Sequence, residues 1–232
     1  MGLKFKTHEK DIHDCWVKQD LKGLSPVLQE WINVVSTYSE SYKDDACYLY
    51  NERTSIGMLA AAAWRLDWVA LEEFSTQKAN KDIADKHANG RCDLKIANLS
   101  TSYAIEAKQA WQPTGSRVSD EWLYVNRMRN FAKIDSQVLI KDQGTHRLSA
   151  VFVSPRFKVS DIENFPNKEA ITESINKWLK GLKKLEKLHA YAYIFPWRNR
   201  LLLRGENEQY IYPGTVLLIS ETKRTKRRSV SN

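Results

Sequence analysis

Residues 90–111 read GRCDLKIANLSTSYAIEAKQAW, and this stretch decides how the rest of the chain is arranged. Cys92, Leu94 and Ile96 alternate with Asp93 and Lys95, the period-two pattern of a half-buried strand. Tyr103, Ile105 and Ala107 alternate in the same way with Ala104, Glu106 and Lys108. Between the two runs lie Asn98, Leu99, Ser100 and Thr101, where Asn98 and Ser100 favour a turn. The spacing therefore predicts an antiparallel hairpin. With its turn centred between Leu99 and Ser100, Leu94 lies opposite Ile105, Cys92 opposite Ala107 and Asp93 opposite Glu106.

That register sets an aspartate and a glutamate on one face, with Cβ atoms roughly 4.5–5.5 Å apart. Two ionised carboxylates at such a distance repel by about 3 kcal/mol at an effective dielectric near 20. Either a cation offsets the repulsion or one acid stays protonated. Oxygen donors of this kind, with positions left for water and phosphate, suit Mg²⁺. Lys108, on the same face, can then meet a phosphate or orient a water. A slip of one residue would send one acid to the other face and dismantle the pair. Lys95, Arg91 and Lys108 offer the other route, neutralising both acids without a metal.

At these residues the chain resembles a known family. Asp93, followed by Glu106-Ala107-Lys108 on the next strand, is similar to the PD-(D/E)xK signature of the restriction-endonuclease-like nucleases. By order of elements the resemblance covers roughly residues 50 to 155. It implies that Asp93, Glu106 and the Ala107 carbonyl bind a metal ion while Lys108 assists the attacking water. Cys92 departs from the motif, which often has proline there. A helix before the core sheet often supplies a further acid in this family, and Glu52 fits that place.

The chain has 232 residues, enough to bury a substantial core as one large domain or one domain with appendages. Its 36 basic and 28 acidic residues give a net charge of +8, which favours an anionic partner such as nucleic acid. Cys15, Cys47 and Cys92 are odd in number and widely spaced, so no disulfide framework is expected and the compartment is read as cytoplasmic. MGLKFKTHEK has no apolar core for a signal peptide, and Lys6 breaks the myristoylation pattern. Met58–Trp64, the most apolar run, is far short of the ~20 residues a membrane span needs.

Upstream, residues 1–23 read as a polar surface lead-in; His8, His13, Asp14 and Cys15 lack the second ligand pair a zinc site requires. Ser25-Pro26 predicts a helix start, with Ser25 as its cap and Pro26 at the first helical position, and Leu28, Trp31, Ile32 and Val35 lie on the buried side to about Ser41. Asn51 predicts the cap of a second helix to about Arg65, with Glu52 on the same face as Ile56. Residues 68–74 read as a strand containing Glu73, a rival further acid, and 77–89 as a loop in which His87 is solvated. Downstream, Pro113 to Gly115 breaks the chain, and Ser119 predicts the cap of a helix with Asp120 and Glu121 in its first turn. That helix carries Trp122, Val125, Met128 and Ala132 among Arg127, Arg129 and Lys133. Leu148–Val153 reads as a strand covered on both faces, 168–188 as a lysine-lined amphipathic helix, and 189–195, 200–204 and 209–219 as strands of a small closing sheet.

The order helix, strand, hairpin, helix, strand implies an α/β fold, a mixed central sheet flanked by helices. The resemblance makes this a restriction-endonuclease-like core at 46–196, with an N-terminal helical segment at 1–45. A C-terminal β extension at 197–222 would pack on the core, and 223–232 would form a basic flexible tail. The expected activity is hydrolysis of nucleic-acid phosphodiester bonds, DNA ahead of RNA, with Mg²⁺ or Mn²⁺. Asp93, Glu106 and Ala107 would hold the metal, and Lys108, Glu106, Asp93 and Glu52 would form the catalytic set. Arg91, Lys95, Arg127, Arg129 and Lys133 are the candidate nucleic-acid contacts. A binding protein of the same fold that does not cut is the alternative; a homodimer is left open, and no membrane partner is expected.

Overall fold

A computed structural model describes residues 8–42, 44–79, 87–115, 120, 122–140, 144–162, 167–204 and 209–222. Along the chain come β1 (Ile12–Val17), α1 (Ser25–Ser41), α2 (Glu52–Trp64), β2 (Val69–Ala79), β3 (His87–Ala97), β4 (Ser102–Thr114) and α3 (Leu123–Gln137). They are followed by β5 (His146–Lys158), α4 (Lys168–Leu182), β6 (Ala190–Phe195), β7 (Leu203–Arg204), β8 (Tyr210–Ile211) and β9 (Thr215–Glu221). The main path of the sheet is β1-β6-β9-β5-β4-β3-β2, with β8 joined to the far end of β5 and β7 to β8. β4 and β5 run parallel; the other neighbours are antiparallel. This is a mixed α/β sheet flanked by helices, as the element order implies.

Strand alternation builds a core on each face. Leu148, Ala150 and Phe152 of β5 pack under α1 and α2 with Trp31, Leu59 and Leu217. Val151 and Val153 turn the other way and meet α3 and α4 through Val125, Ala132, Ile175 and Trp178. Such two-sided burial explains the nearly continuous apolar run in β5. Among the described residues, no helix is long and apolar enough to cross a membrane.

Several local signals act as the sequence predicts. Asn98 Oδ1 accepts hydrogen bonds from the backbone N–H groups of Ser100 and Thr101, both at 2.9 Å, and closes the hairpin. Asn51 Oδ1 accepts from Thr54 N at 3.0 Å and caps α2, which fixes Glu52 as its first helical residue.

Other elements differ. Ser25 is inside α1 rather than its cap, because a 3₁₀ turn at Gln19–Leu24 leads straight into the helix. Part of the lead-in is edge strand β1, paired with β6 along Ile12–Val17. Residues 77–79 and 87–89, read as loop, extend the β2–β3 ladder to Ala79↔His87, while 80–86 and the His87 side chain lie outside the described residues. β4 continues through Pro113, since the parallel ladder with β5 holds it to Thr114. The helix read to residue 188 ends at Leu182. Most consequentially, the C-terminal strands do not pack on the outside of a finished core: β9 inserts between β5 and β6. Ser119 and Glu121, the turn at 205–207 and the tail at 223–232 lie outside the described residues.

Candidate functional site

The β3–β4 ladder has the expected register, with Leu94 opposite Ile105 and Ile96 opposite Tyr103, and it ends at Leu94. The pairings of Asp93 with Glu106 and of Cys92 with Ala107 are not part of it. β3 continues along β2, with Leu94 opposite Glu72 and Cys92 opposite Phe74. Glu73, between those two partners, sits at φ 46°, a left-handed conformation costly for a residue with a side chain. The strand changes faces here. Leu94 and Ile96 lie in the core beneath α1 and α2, whereas Cys92 packs with Ala104, Leu139 and Phe74 in a separate cluster. The expected sharing of one face by Cys92 and Leu94 fails because the irregularity at Glu73 and Asp93 interrupts the alternation.

The end of the ladder opens the edge of β4 beyond Ile105. Alternate residues of a strand aim their N–H and C=O at the same edge, so Ala107 and Gln109 present theirs where β3 has departed. Side chains take over the bonding that a strand would supply. Asp93 Oδ2 accepts from Ala107 N at 2.8 Å, and Glu52 Oε2 accepts from Gln109 N at 3.1 Å. Lys108 Nζ donates to the Ala107 carbonyl at 2.9 Å. Pro113 lies farther along the same edge, where its missing N–H leaves no ladder bond unmade.

Glu106 points to the α3 side and is 3% exposed. Lys78 Nζ lies 2.7 Å from its Oε1 but off hydrogen-bonding directions, so this buried oxygen has an ionic partner without a directed hydrogen bond. Burial, followed by the charge of Asp93, pushes the Glu106 carboxyl up to about 7 against the pull of Lys78. Burial also raises Glu52; Lys108 opposes the rise and Asp93 and Asp135 add to it. For Lys108 burial works against the charge, yet a contact of 3.0 Å to Asp135 Oδ2 and the charges of Glu52 and Asp93 outweigh it and raise the ammonium. Acids from α2, β3 and α3 thus act electrostatically on Lys108, and Asp93 and Asp135 act on the β4 acid Glu106.

No family model, curated protein or solved structure matches the chain. What the site can do rests on its own chemistry.

Two members were not singled out from sequence. Asp135 lies three residues after Ala132 and seven after Met128, on the stripe read as apolar, and this acid on an inward stripe was its available signal. Lys78 fell in the segment read as loop, which hid it. The rival Glu73 is engaged elsewhere, 2.6 Å from Arg53 Nε and 2.9 Å from Arg91 Nη1. Arg91 is therefore held by Glu73 rather than by the paired acids. Lys95 lies in the regular ladder opposite Leu71 and Ala104. Arg127 stands over the exposed Phe131 ring, 5.6 Å from its centroid. Arg129 bonds Asn126 and the Glu186 carbonyl. Lys133, two residues from Asp135, points about 160° away from it around the helix. The candidate nucleic-acid contacts are thus divided among several surfaces.

Carboxylate and carbonyl oxygens are the donors that Mg²⁺ and Mn²⁺ prefer. The buried Glu106 Oε1, already paired with the Lys78 ammonium, is a donor that such a cation would have to share. Among the described residues, however, no three His, Cys, Asp or Glu side chains are close enough together to share an ion. Lys78 on Glu106 and Lys108 on the Ala107 carbonyl supply the positive charge instead. The donors fit a hard divalent ion in kind, and holding one requires these lysines to yield and the acids to close in.

Proposed function

We propose that the protein is a metal-dependent nuclease hydrolysing phosphodiester bonds of nucleic acid, DNA in preference to RNA, in the cytoplasm. The observation that supports this reading is the placing of Glu52 and Asp93 on the opened edge of β4, where both act on Lys108 and Asp93 also acts on the buried Glu106. Satisfying two backbone N–H groups needs only neutral acceptors. Setting mutually repelling carboxylates there raises the energy of the folded chain, which a purely structural edge has no reason to bear. The resemblance to PD-(D/E)xK nucleases, carried by Asp93 and Glu106-Ala107-Lys108, points the same way.

Asp93, Glu106 and the Ala107 carbonyl would hold Mg²⁺ or Mn²⁺, with Glu52 completing the acid set. When bound, such an ion polarises a phosphate oxygen and makes a bound water more acidic. Lys108, steadied by Asp135, would orient the water and stabilise charge developing on the phosphate. Arg127, exposed on α3, would draw in the phosphate backbone, an attraction that weakens as salt rises. A homodimer placing two such sites on a duplex belongs to the same proposal.

The test is incubation of purified protein with plasmid, linear duplex, single-stranded DNA and RNA in Mg²⁺ or Mn²⁺. Cleavage should fall by roughly 10²-fold or more in Glu106→Ala and Lys108→Ala while binding persists. All four substrates left intact with either ion would refute the proposal. One observation favours a second reading: Lys78 and Lys108 already offset the acids. On that reading the chain binds nucleic acid without cutting it, and Glu106→Ala has no activity to remove.

A further inference from the structure

We propose that a cavity on the flank of α3 away from Asp135 binds a phosphorylated small molecule of nucleotide size. The cavity has a volume of about 740 Å³ and lies between α3, the turns after α4 and the ends of β5 and β9. This falls within the ~300–1,000 Å³ usual for small-molecule sites. Its walls carry Arg129, Lys133, Lys184 and Lys187, and none of the four forms an ion pair with a described residue.

Arg129 is the central observation. Among the described residues its guanidinium has only uncharged acceptors, Asn126 Oδ1 at 3.2 Å and the Glu186 carbonyl at 2.5 Å. Its Nε is buried without any hydrogen-bond partner. Burial works against this unpaired charge and lowers its pKa. Glu186 and Glu221 are the two acids on the lining, and Glu221 places Oε1 against His146 Nδ1 at 2.9 Å, so the four cations outnumber the acids and the wall is positive. Like charges gathered on one wall repel, and an anion between them reverses the sign. The forked guanidinium suits the oxygens of a phosphate, and the lysines supply further point charges.

The space exceeds what one phosphate fills. Asn126 and Asn130 lie on the same stripe of α3 as Arg129 and Lys133, and their amides offer paired donors and acceptors to a sugar or base. Ser149 and Ser220 form part of the walls, so the sheet closes one side of the space. The exposed cation Arg127 is not part of it.

The site stands apart from the proposed nuclease centre, and calorimetry on the full-length chain in EDTA separates the two. Pyrophosphate, ADP and GDP should bind and adenosine should not. The double variant Lys184→Gln/Lys187→Gln, altered on surface turns, should weaken binding about tenfold or more, and Arg129→Gln at least as much. Asp93→Asn should bind as the parent does. Absence of diphosphate binding at millimolar concentration would overturn the proposal, as would binding unchanged in both the double variant and Arg129→Gln. A single-stranded oligonucleotide that alone binds through these cations would overturn it in favour of a strand site.

Discussion

Burial favours the neutral form of Glu106, whereas Lys78, 2.7 Å away, favours the charged one. Burial prevails and holds the carboxyl near 7, above its ordinary 4.5. The folded chain therefore binds an extra proton between these values. The resulting stability is fully present below about 4.5 and is lost as pH rises through about 7. Glu106→Gln is neutral in both states and should remove this dependence. In metal-free buffer, urea unfolding at pH 4.5 and 8 should show the variant gaining on the parent by up to about 3 kcal/mol. An equal difference at both pH values would mean that Glu106 ionises normally. Gly90 makes the lysine's approach possible, because a Cβ there would stand 2.9 Å from Lys78 Cδ and 3.0 Å from Cγ. Gly90→Val should push the lysine stem aside and strip Glu106 of its cation. Its destabilisation should therefore be larger at pH 8 than at pH 5, by roughly 1–3 kcal/mol in thermal or urea unfolding.

The first turn of α2 joins capping to chemistry, since Asn51 fixes the helix start and the next residue, Glu52, reaches Gln109 N. Asn51→Ala should cost about 1 kcal/mol in urea unfolding, and by fraying that turn it should loosen Glu52 from the edge of β4. Hydrogen exchange at the Gln109 amide reports the second effect; an amide as protected as the parent's would show that Glu52 keeps its place without the cap. This cap, the Asn98 turn and the pairing of Leu94 with Ile105 were legible in the sequence because each is set by residues a few positions apart. The end of the ladder at Asp93 was not. Alternation runs unbroken through Cys92, Leu94 and Ile96, and nothing local reveals that Cys92 lies in another cluster. That change depends on the backbone of Glu73 in a neighbouring strand. Lys78 and Asp135 escaped notice for the same reason, being brought to the site from β2 and α3 by pairing and packing at long range.

Across the whole molecule the β4–β5 pair is parallel and linked through α3, and β9 then closes on the other side of β5, from Leu148↔Glu221 to Val153↔Val216. The same β9 pairs with β6 from Ala190↔Ile219 to Ile194↔Thr215. Residues 209–219, read as one strand, are divided into β8 at Tyr210–Ile211 and β9 at Thr215–Glu221, and alternation cannot say which partners either will find. Here β9 lies between β5 and β6, and β1 joins the sheet through β6. A chain ending at Arg204 would expose the inner edges of β5 and β6 and empty the core positions of Leu217, Leu218 and Ile219, each at most 1% exposed. Unpaired strand edges and lost apolar burial both oppose folding, so this chain should show no cooperative urea transition. A subtler variant makes the same point in the full chain. Leu217→Ala should cost about 2–5 kcal/mol, whereas Leu99→Ala at the exposed hairpin tip should change stability by less than about 0.5 kcal/mol. If the shortened chain unfolded cooperatively, or Leu217→Ala cost no more than Leu99→Ala, β9 would not be the strand that unites the two halves of the sheet.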